Sequence, residues 1–172
     1  MFLRTSSYFP VIALVAGAIA GPAQAEPYAG IALGMTNAEV RLTPSSNWIS
    51  AEPVLAQMQL GYFFNDYLAL EGRYGSSVKR DKDLNIDRLS SLLIKGNIPV
   101  SPRLAFYGLA GYSSAKLDKK NLGSQSESDM SFGLGAHYAL DKQSAITAEF
   151  VNYANGDKTR LSAVQLTIQF KF

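Results

Sequence analysis

The sequence predicts an all-β fold, an eight-stranded antiparallel up-and-down transmembrane β-barrel. Three observations carry that expectation. Apolar and polar residues alternate with period two in one segment after another, the period at which side chains change face along a strand. The polar connections between segments are alternately long and short, as where extended loops lie on one side of a membrane and tight turns on the other. Tyr and Phe gather toward the ends of the segments and leave an aliphatic middle, the pattern of a wall that crosses both membrane interfaces.

The alternation is clearest over 163–172. Val164, Leu166, Ile168, Phe170 and Phe172 share one parity, and Gln165, Thr167, Gln169 and Lys171 share the other. A helix would mix the two sets at its 3.6-residue period. In water, so apolar a strand would be an aggregation hazard at a free edge. Between lipid and a polar lumen it is satisfied on both faces.

Residues 1–25 have the parts of a secretory signal peptide: Arg4, an apolar core over 11–20, and Ala23-Gln24-Ala25 as a small-x-small cleavage site. About ten apolar residues fall short of the roughly 20 a membrane-spanning helix needs. Cleavage would leave 26–172 as one outer-membrane barrel domain. The chain has no Cys, which removes disulfide scaffolds and thiolate zinc sites. Beyond Arg4, 15 basic residues stand against 14 acidic ones, so no nucleic-acid partner is expected.

In order, the first segment, 28–35, sets Ala29, Ile31, Leu33 and Met35 against Tyr28, Gly30, Ala32 and Gly34. A polar stretch over 36–53 separates it from 54–64, where Met58, Leu60, Tyr62 and Phe64 oppose Gln57, Gln59 and Gly61. Asn65-Asp66 marks a tight turn. The segment 67–75 places Leu68, Leu70 and Tyr74 opposite Ala69, Glu71 and Arg73, and the charged stretch 76–85 reads as an exposed loop. In 86–98, Leu92, Ile94 and Ile98 oppose Leu93, Lys95 and Asn97. Pro99 and Pro102 then bound a short connection, since proline cannot continue a central strand. The segment 103–113 is rich in Gly and aromatics, and its faces stay unassigned. A polar loop over 114–128 precedes 129–140, where Met130, Phe132, Leu134, Ala136 and Tyr138 oppose Ser131, Gly133, Gly135 and His137. Asp141-Lys142 is the next short turn. The seventh segment, 144–153, sets Ile146, Ala148 and Phe150 against Thr147, Glu149 and Val151, and 155–160 leads into the eighth.

The aromatics expected at the periplasmic ends are Tyr62, Phe64, Tyr67, Tyr107, Tyr138, Phe170 and Phe172. Those expected near the outer ends are Tyr74, Tyr112, Phe132, Phe150 and Tyr153. Together with Gly61-Tyr62-Phe63, Leu70-Glu71-Gly72-Arg73-Tyr74-Gly75, Phe106-Tyr107-Gly108, Gly111-Tyr112, Gly133-Leu134-Gly135 and Phe172, this pattern resembles the small eight-stranded outer-membrane barrels of the OmpA-like and OmpX/Ail-like type. The resemblance covers 26–172 and lacks the soluble peptidoglycan-binding domain of full-length OmpA-like proteins. It implies insertion into the bacterial outer membrane, with Val164, Leu166, Ile168, Phe170 and Phe172 as the signal met by the barrel-assembly machinery. It further implies roles in adhesion, envelope integrity or resistance without choosing among them.

Two groups of side chains are candidates for function. The inward parity supplies Gln57, Gln59, Glu71, Arg73, Lys95, Asn97, His137, Glu149, Gln165 and Gln169, with Thr167 and Lys171 beside them. An eight-stranded barrel is just wide enough for side chains to fill it, so these are expected to form a paired polar plug. The long loops supply Trp48, Lys79, Arg80, Lys82, Lys116, Lys119, Lys120, Lys158 and Arg160. They are expected to meet lipopolysaccharide phosphates and outer-membrane lipids, or an extracellular protein or surface ligand.

His137, the single histidine, is the residue an enzyme would need. Some small outer-membrane barrels are lipid A deacylases that use Ser, His and an acid. His137 falls near the short Asp141-Lys142 turn, away from the outer leaflet, with Ala139 rather than Ser two residues on. The expectation is therefore no catalysis, no cofactor and no metal site. The alternatives are a lipid A-modifying enzyme, a narrow pore, and a periplasmic lipocalin-like barrel with the apolar parity inside.

Overall fold

The computed structural model describes residues 26–40, 49–79, 84–119, 123–156 and 159–172. They form β1 (Glu26–Val40), β2 (Ile49–Ala51), β3 (Val54–Phe63), β4 (Leu68–Lys79), β5 (Leu84–Pro99), β6 (Leu104–Lys119), β7 (Gly123–Ala139), β8 (Ser144–Asn155) and β9 (Thr159–Lys171). β1 pairs antiparallel with both β2 and β3, each strand from β3 onward pairs antiparallel with the next, and β9 returns to pair with β1 over Tyr28↔Lys171 to Val40↔Thr159. β2 is a short strand on the outer end of β1, set off from β3 by Glu52 and Pro53. Eight strands thus close the wall, and closure leaves no edge within it.

The parity of 163–172 fixes which side faces out. Leu166 and Ile168 are 61% and 51% exposed, whereas Gln165 and Thr167 are 2% and 1% exposed. Ile31, Met58, Leu60, Ile94 and Leu134 continue the exposed apolar belt. The lipocalin-like arrangement, with the faces reversed, is thereby excluded. The unassigned segment resolves as well: Tyr107, Leu109 and Ser113 point inward, and Phe106, Ala110 and Tyr112 outward.

Three four-residue connections, 64–67, 100–103 and 140–143, close the periplasmic hairpins with one chemistry. Asn65 Oδ1 accepts from the backbone N–H of Tyr67 and Leu68, Ser101 Oγ from Arg103 and Leu104, and Asp141 Oδ1 from Gln143 and Ser144. Such side chains stand in for a backbone acceptor and so favour turns.

Two expectations need correction. The segments read from the sequence span 8 to 13 residues with long loops above them, but the barrel strands run 10 to 17 residues. Much of the polar stretches 36–53, 76–85 and 114–128 is therefore strand. Their inward positions carry Ala38, Ala51, Ala115 and Leu117, all buried in a cluster with Leu55, Ile86, Leu89, Val151 and Leu161. Burying those side chains keeps the hairpins paired above the membrane. Tyr107 and Tyr153 are not part of the aromatic bands either. They are 3% and 0% exposed and lie inside the barrel, because their parity matches Glu149 and Gln165.

Candidate functional site

The interior has two zones. In the middle, Arg73 on β4 donates from Nε to Glu71 Oε1 at 2.5 Å, and from Nη1 and Nη2 to the two Glu149 oxygens at 2.6 and 3.0 Å. Tyr28 donates to Glu71 Oε2 at 2.5 Å and Tyr107 to Glu149 Oε2 at 2.8 Å. Gln165 donates to Glu149 Oε1 and, at 3.1 Å, to the Tyr153 hydroxyl, which itself donates to Gln57 at 2.9 Å. Gln169 donates to Gln59, and Gln59 to Thr167, at 3.1 and 3.4 Å. Lys95 lies with its Nζ 4.0 Å from Glu71 Oε2 and 4.1 Å from the centre of the Tyr107 ring. Two buried carboxylates thus face two buried cations, the arrangement charges need when removed from water. Above this plug lies the apolar cluster already described, which fills the outer lumen with hydrocarbon side chains.

The tyrosines occupy equivalent places. Tyr28 on β1 is the register partner of Gly61 on β3, and Gly61 of Glu71 on β4. Tyr107 on β6 is the partner of Gly135 on β7, and Gly135 of Glu149 on β8. Each ring crosses its glycine and reaches the carboxylate one strand further on. A Cβ at Gly61 would lie 2.1 Å from the Tyr28 ring, and one at Gly135 would lie 2.4 Å from the Tyr107 ring. Glycine is required by that close approach.

Asn97 and His137 lie nearer the periplasmic mouth than the plug. Asn97 Nδ2 donates to the Asp66 carbonyl at 3.4 Å, so it braces a turn. His137 shares a small pocket with Asp141 and Ser144 beside the 140–143 connection. These are the residue types of a nucleophilic triad, but the Ser144 hydroxyl donates to Asp141 Oδ2 at 2.5 Å. Its proton is held by the turn and not directed at the imidazole. Among the described residues, no group of three or more His, Cys, Asp or Glu could hold a metal ion.

On the outer surface the apolar belt ends sharply. Leu92, Tyr112 and Met130 form one exposed register row across β5, β6 and β7, and Ser90, Ser114 and Ser128 form the next. Ser128 donates to Ser114 at 3.0 Å. Above the hydroxyls, Arg88 and Lys116 are register partners, and the extra residue of a β-bulge, Asp87, lies 3.6 Å from Lys116. Arg160 lies 3.9 Å from Glu39 on the opposite wall, and Lys79 is exposed at the end of β4. Trp48, Arg80, Lys82, Lys120, Lys158 and residues 1–25, the stretch expected to be a signal peptide, lie outside the described residues, and for Lys119 only the backbone is described. Sequence reasoning missed Arg88, which stands within a segment taken for membrane-spanning strand. It also missed the three interior tyrosines; Tyr28 could have been found, being the one bulky residue on a Gly/Ala parity.

The model of the outer membrane protein beta-barrel domain family matches residues 9–172. Neisserial surface protein A is 14% identical with a TM-score of 0.65, over 85% of this chain and 97% of that one. The N-terminal β-barrel domain of OprF from Pseudomonas aeruginosa is 20% identical with a TM-score of 0.60, over 83% and 97%. Ail, the attachment invasion locus protein of Yersinia pestis, is 17% identical with a TM-score of 0.59, over 86% and 99%, in its complex with the heparin analogue sucrose octasulfate. At these identities the likeness is one of fold. Comparison with curated protein sequences gives no significant match.

Proposed function

Since this chain belongs to the outer membrane protein beta-barrel family and so resides in the outer membrane, we propose that it acts there as a sealed, non-catalytic barrel whose outer rim binds phosphorylated saccharide, first of all that of lipopolysaccharide. The observation that carries this reading is the row of Ser90, Ser114 and Ser128 directly above the apolar belt, with Arg88 and Lys116 above it. Hydroxyls and cations in that order match a lipid whose acyl chains give way to sugar and phosphate, and Lys and Arg pair with phosphate through charge-assisted bonds. Asp87 offsets part of the charge, which suits a contact of moderate strength spread along the rim. The same surface chemistry would accept a sulfated surface glycan, a reading favoured by the sulfated ligand in the Ail structure. Against catalysis stand the position of His137 at the periplasmic end and the engagement of Ser144 with Asp141. The outward residues Val164, Leu166, Ile168, Phe170 and Phe172 fit the role of assembly signal, since all five are exposed on one face.

The test is the thermal stability of the barrel in vesicles with and without lipopolysaccharide. Lipopolysaccharide should raise the unfolding temperature of the wild type and fail to raise that of an Arg88→Glu/Lys116→Glu variant. Equal stabilisation of both would remove the rim from the reading.

A further inference from the structure

The rim carries a charge that a plain phosphate site does not need. Along β5 Leu89 is buried and Arg88 exposed, so strict alternation would turn residue 87 inward. The register shift between Ile86 and Arg88 breaks that rule. It keeps Ile86 inside the apolar cluster and leaves Asp87, which has no partner on β6, exposed beside Arg88. Re-aiming a side chain is what a bulge accomplishes.

Three charged groups therefore share one small area of the outer surface. Arg88 and Lys116 are register partners, and Lys116 Nζ lies 3.6 Å from Asp87 Oδ2. That separation is longer than a hydrogen bond, and the Lys116 and Asp87 side chains are 47% and 50% exposed. Both stay open to a ligand. Arg88 has no ion-pair partner among the described residues. For a bare phosphate the carboxylate is a handicap, because it repels the ligand and competes for Lys116. It becomes an advantage when the ligand brings a positive charge of its own. The phosphates of lipid A occur bare or capped by ethanolamine and similar groups, which set an ammonium a few bonds from the phosphorus. Arg88 and Lys116 suit the phosphate, and Asp87 beside them suits the ammonium.

We propose that Asp87 is a specificity residue of the rim, through which the rim accepts lipid A whose phosphate carries an amine. The inference rests on the rim reading and adds to it the form of the ligand's head group. A carboxylate without that role only dilutes the positive charge, and removing it tightens the hold on every anionic lipid. A carboxylate that receives an ammonium acts on the two forms of lipid A with opposite signs.

The protein is folded into phosphatidylcholine vesicles, and its unfolding temperature is followed as bare lipid A or lipid A bearing phosphoethanolamine is added. The capped form should half-stabilise the wild type at a concentration no higher than the bare form does. Asp87→Asn should bind the bare form about two- to fivefold more tightly and the capped form about two- to fivefold more weakly, the span of one exposed ion pair. Asp87→Glu should keep the wild-type order. Tightening of both forms in Asp87→Asn, or no change in their ratio, overturns the proposal. So does phosphatidylethanolamine stabilising the wild type as well as capped lipid A, since the site would then read a phospholipid head group. Loss of both effects on removal of magnesium, matched by Asp87→Asn, would make Asp87 the ligand of a bridging cation and equally overturn it. If neither form of lipid A stabilises the wild type, the rim reading fails and this inference with it. If both forms do and only the ratio is unmoved by Asp87→Asn, the rim reading stands and this inference alone is refuted.

Discussion

Arg73 touches two carboxylates that arrive from β4 and β8, and it is buried with both. Removing one partner of a buried ionic cluster strands the other charges, at a cost of about 3–5 kcal/mol, whereas replacing the whole cluster by neutral groups costs far less. Arg73→Met should therefore lower stability by that amount in urea titrations of the barrel in lipid vesicles. Arg73→Met combined with Lys95→Met, Glu71→Gln and Glu149→Gln should recover more than half of the loss. No recovery would mean that Arg73 acts by packing rather than by charge. At the surface, Asp141 shows the same physics in reverse. The Ser144 hydroxyl, then the backbone N–H groups of Gln143 and Ser144, hold its carboxyl below the ordinary value of 3.8. A folded-state value below the unfolded one gives stability that is present above the unfolded value and lost as pH falls through the folded one. The stability difference between wild type and Asp141→Asn should stay flat from about pH 5 to pH 8 and change only below roughly pH 4. A change near neutrality would place the titrating group elsewhere.

Between strands, the unit of construction is a tyrosine laid across a neighbour's glycine. Tyr28–Gly61–Glu71 and Tyr107–Gly135–Glu149 each tie three adjacent strands together through one ring and one hydroxyl. A methyl group at Gly61 would force the Tyr28 ring from its place, and overpacking of this kind costs about 1–3 kcal/mol. In a double-mutant cycle, Gly61→Ala should carry that cost in the wild type and little of it in a Tyr28→Ala background. Additive costs would show that the ring and the glycine act independently. Alternation made the outer face of these strands legible in the sequence, because lipid demands an apolar residue at every second position. The inner face carries no such rule. There a Gly, a Tyr and a Glu are each acceptable alone, and only the register makes them one unit.

As a whole, the molecule is a membrane barrel continued outward as a small hydrophobic-cored sheet. Leu117, on a hairpin that composition alone marks as loop, is 1% exposed. Leu117→Ala should cost about 2–5 kcal/mol if that core is packed as a soluble protein's is. A cost near zero, with protease cleavage unchanged, would return the hairpin to the status of a loop. The apolar cluster above the Arg73 plug leads to a second expectation at this scale. Planar bilayer recordings of the wild type should show no steady open state, and sustained conductance would demand a different outer lumen.

By itself the sequence determined the strand count, the closure into a membrane barrel, the outward parity and the periplasmic turns. Each depends on a rule that neighbouring residues obey: period two, turn chemistry, apolar contact with lipid. Tertiary structure alone decided that Arg73 would bridge Glu71 and Glu149, that Tyr28 and Tyr107 would each cross a glycine to reach a carboxylate, and that polar stretches would close over a buried core. Those outcomes depend on which strands closure brings opposite one another, and distance across a lumen is not written in any local period.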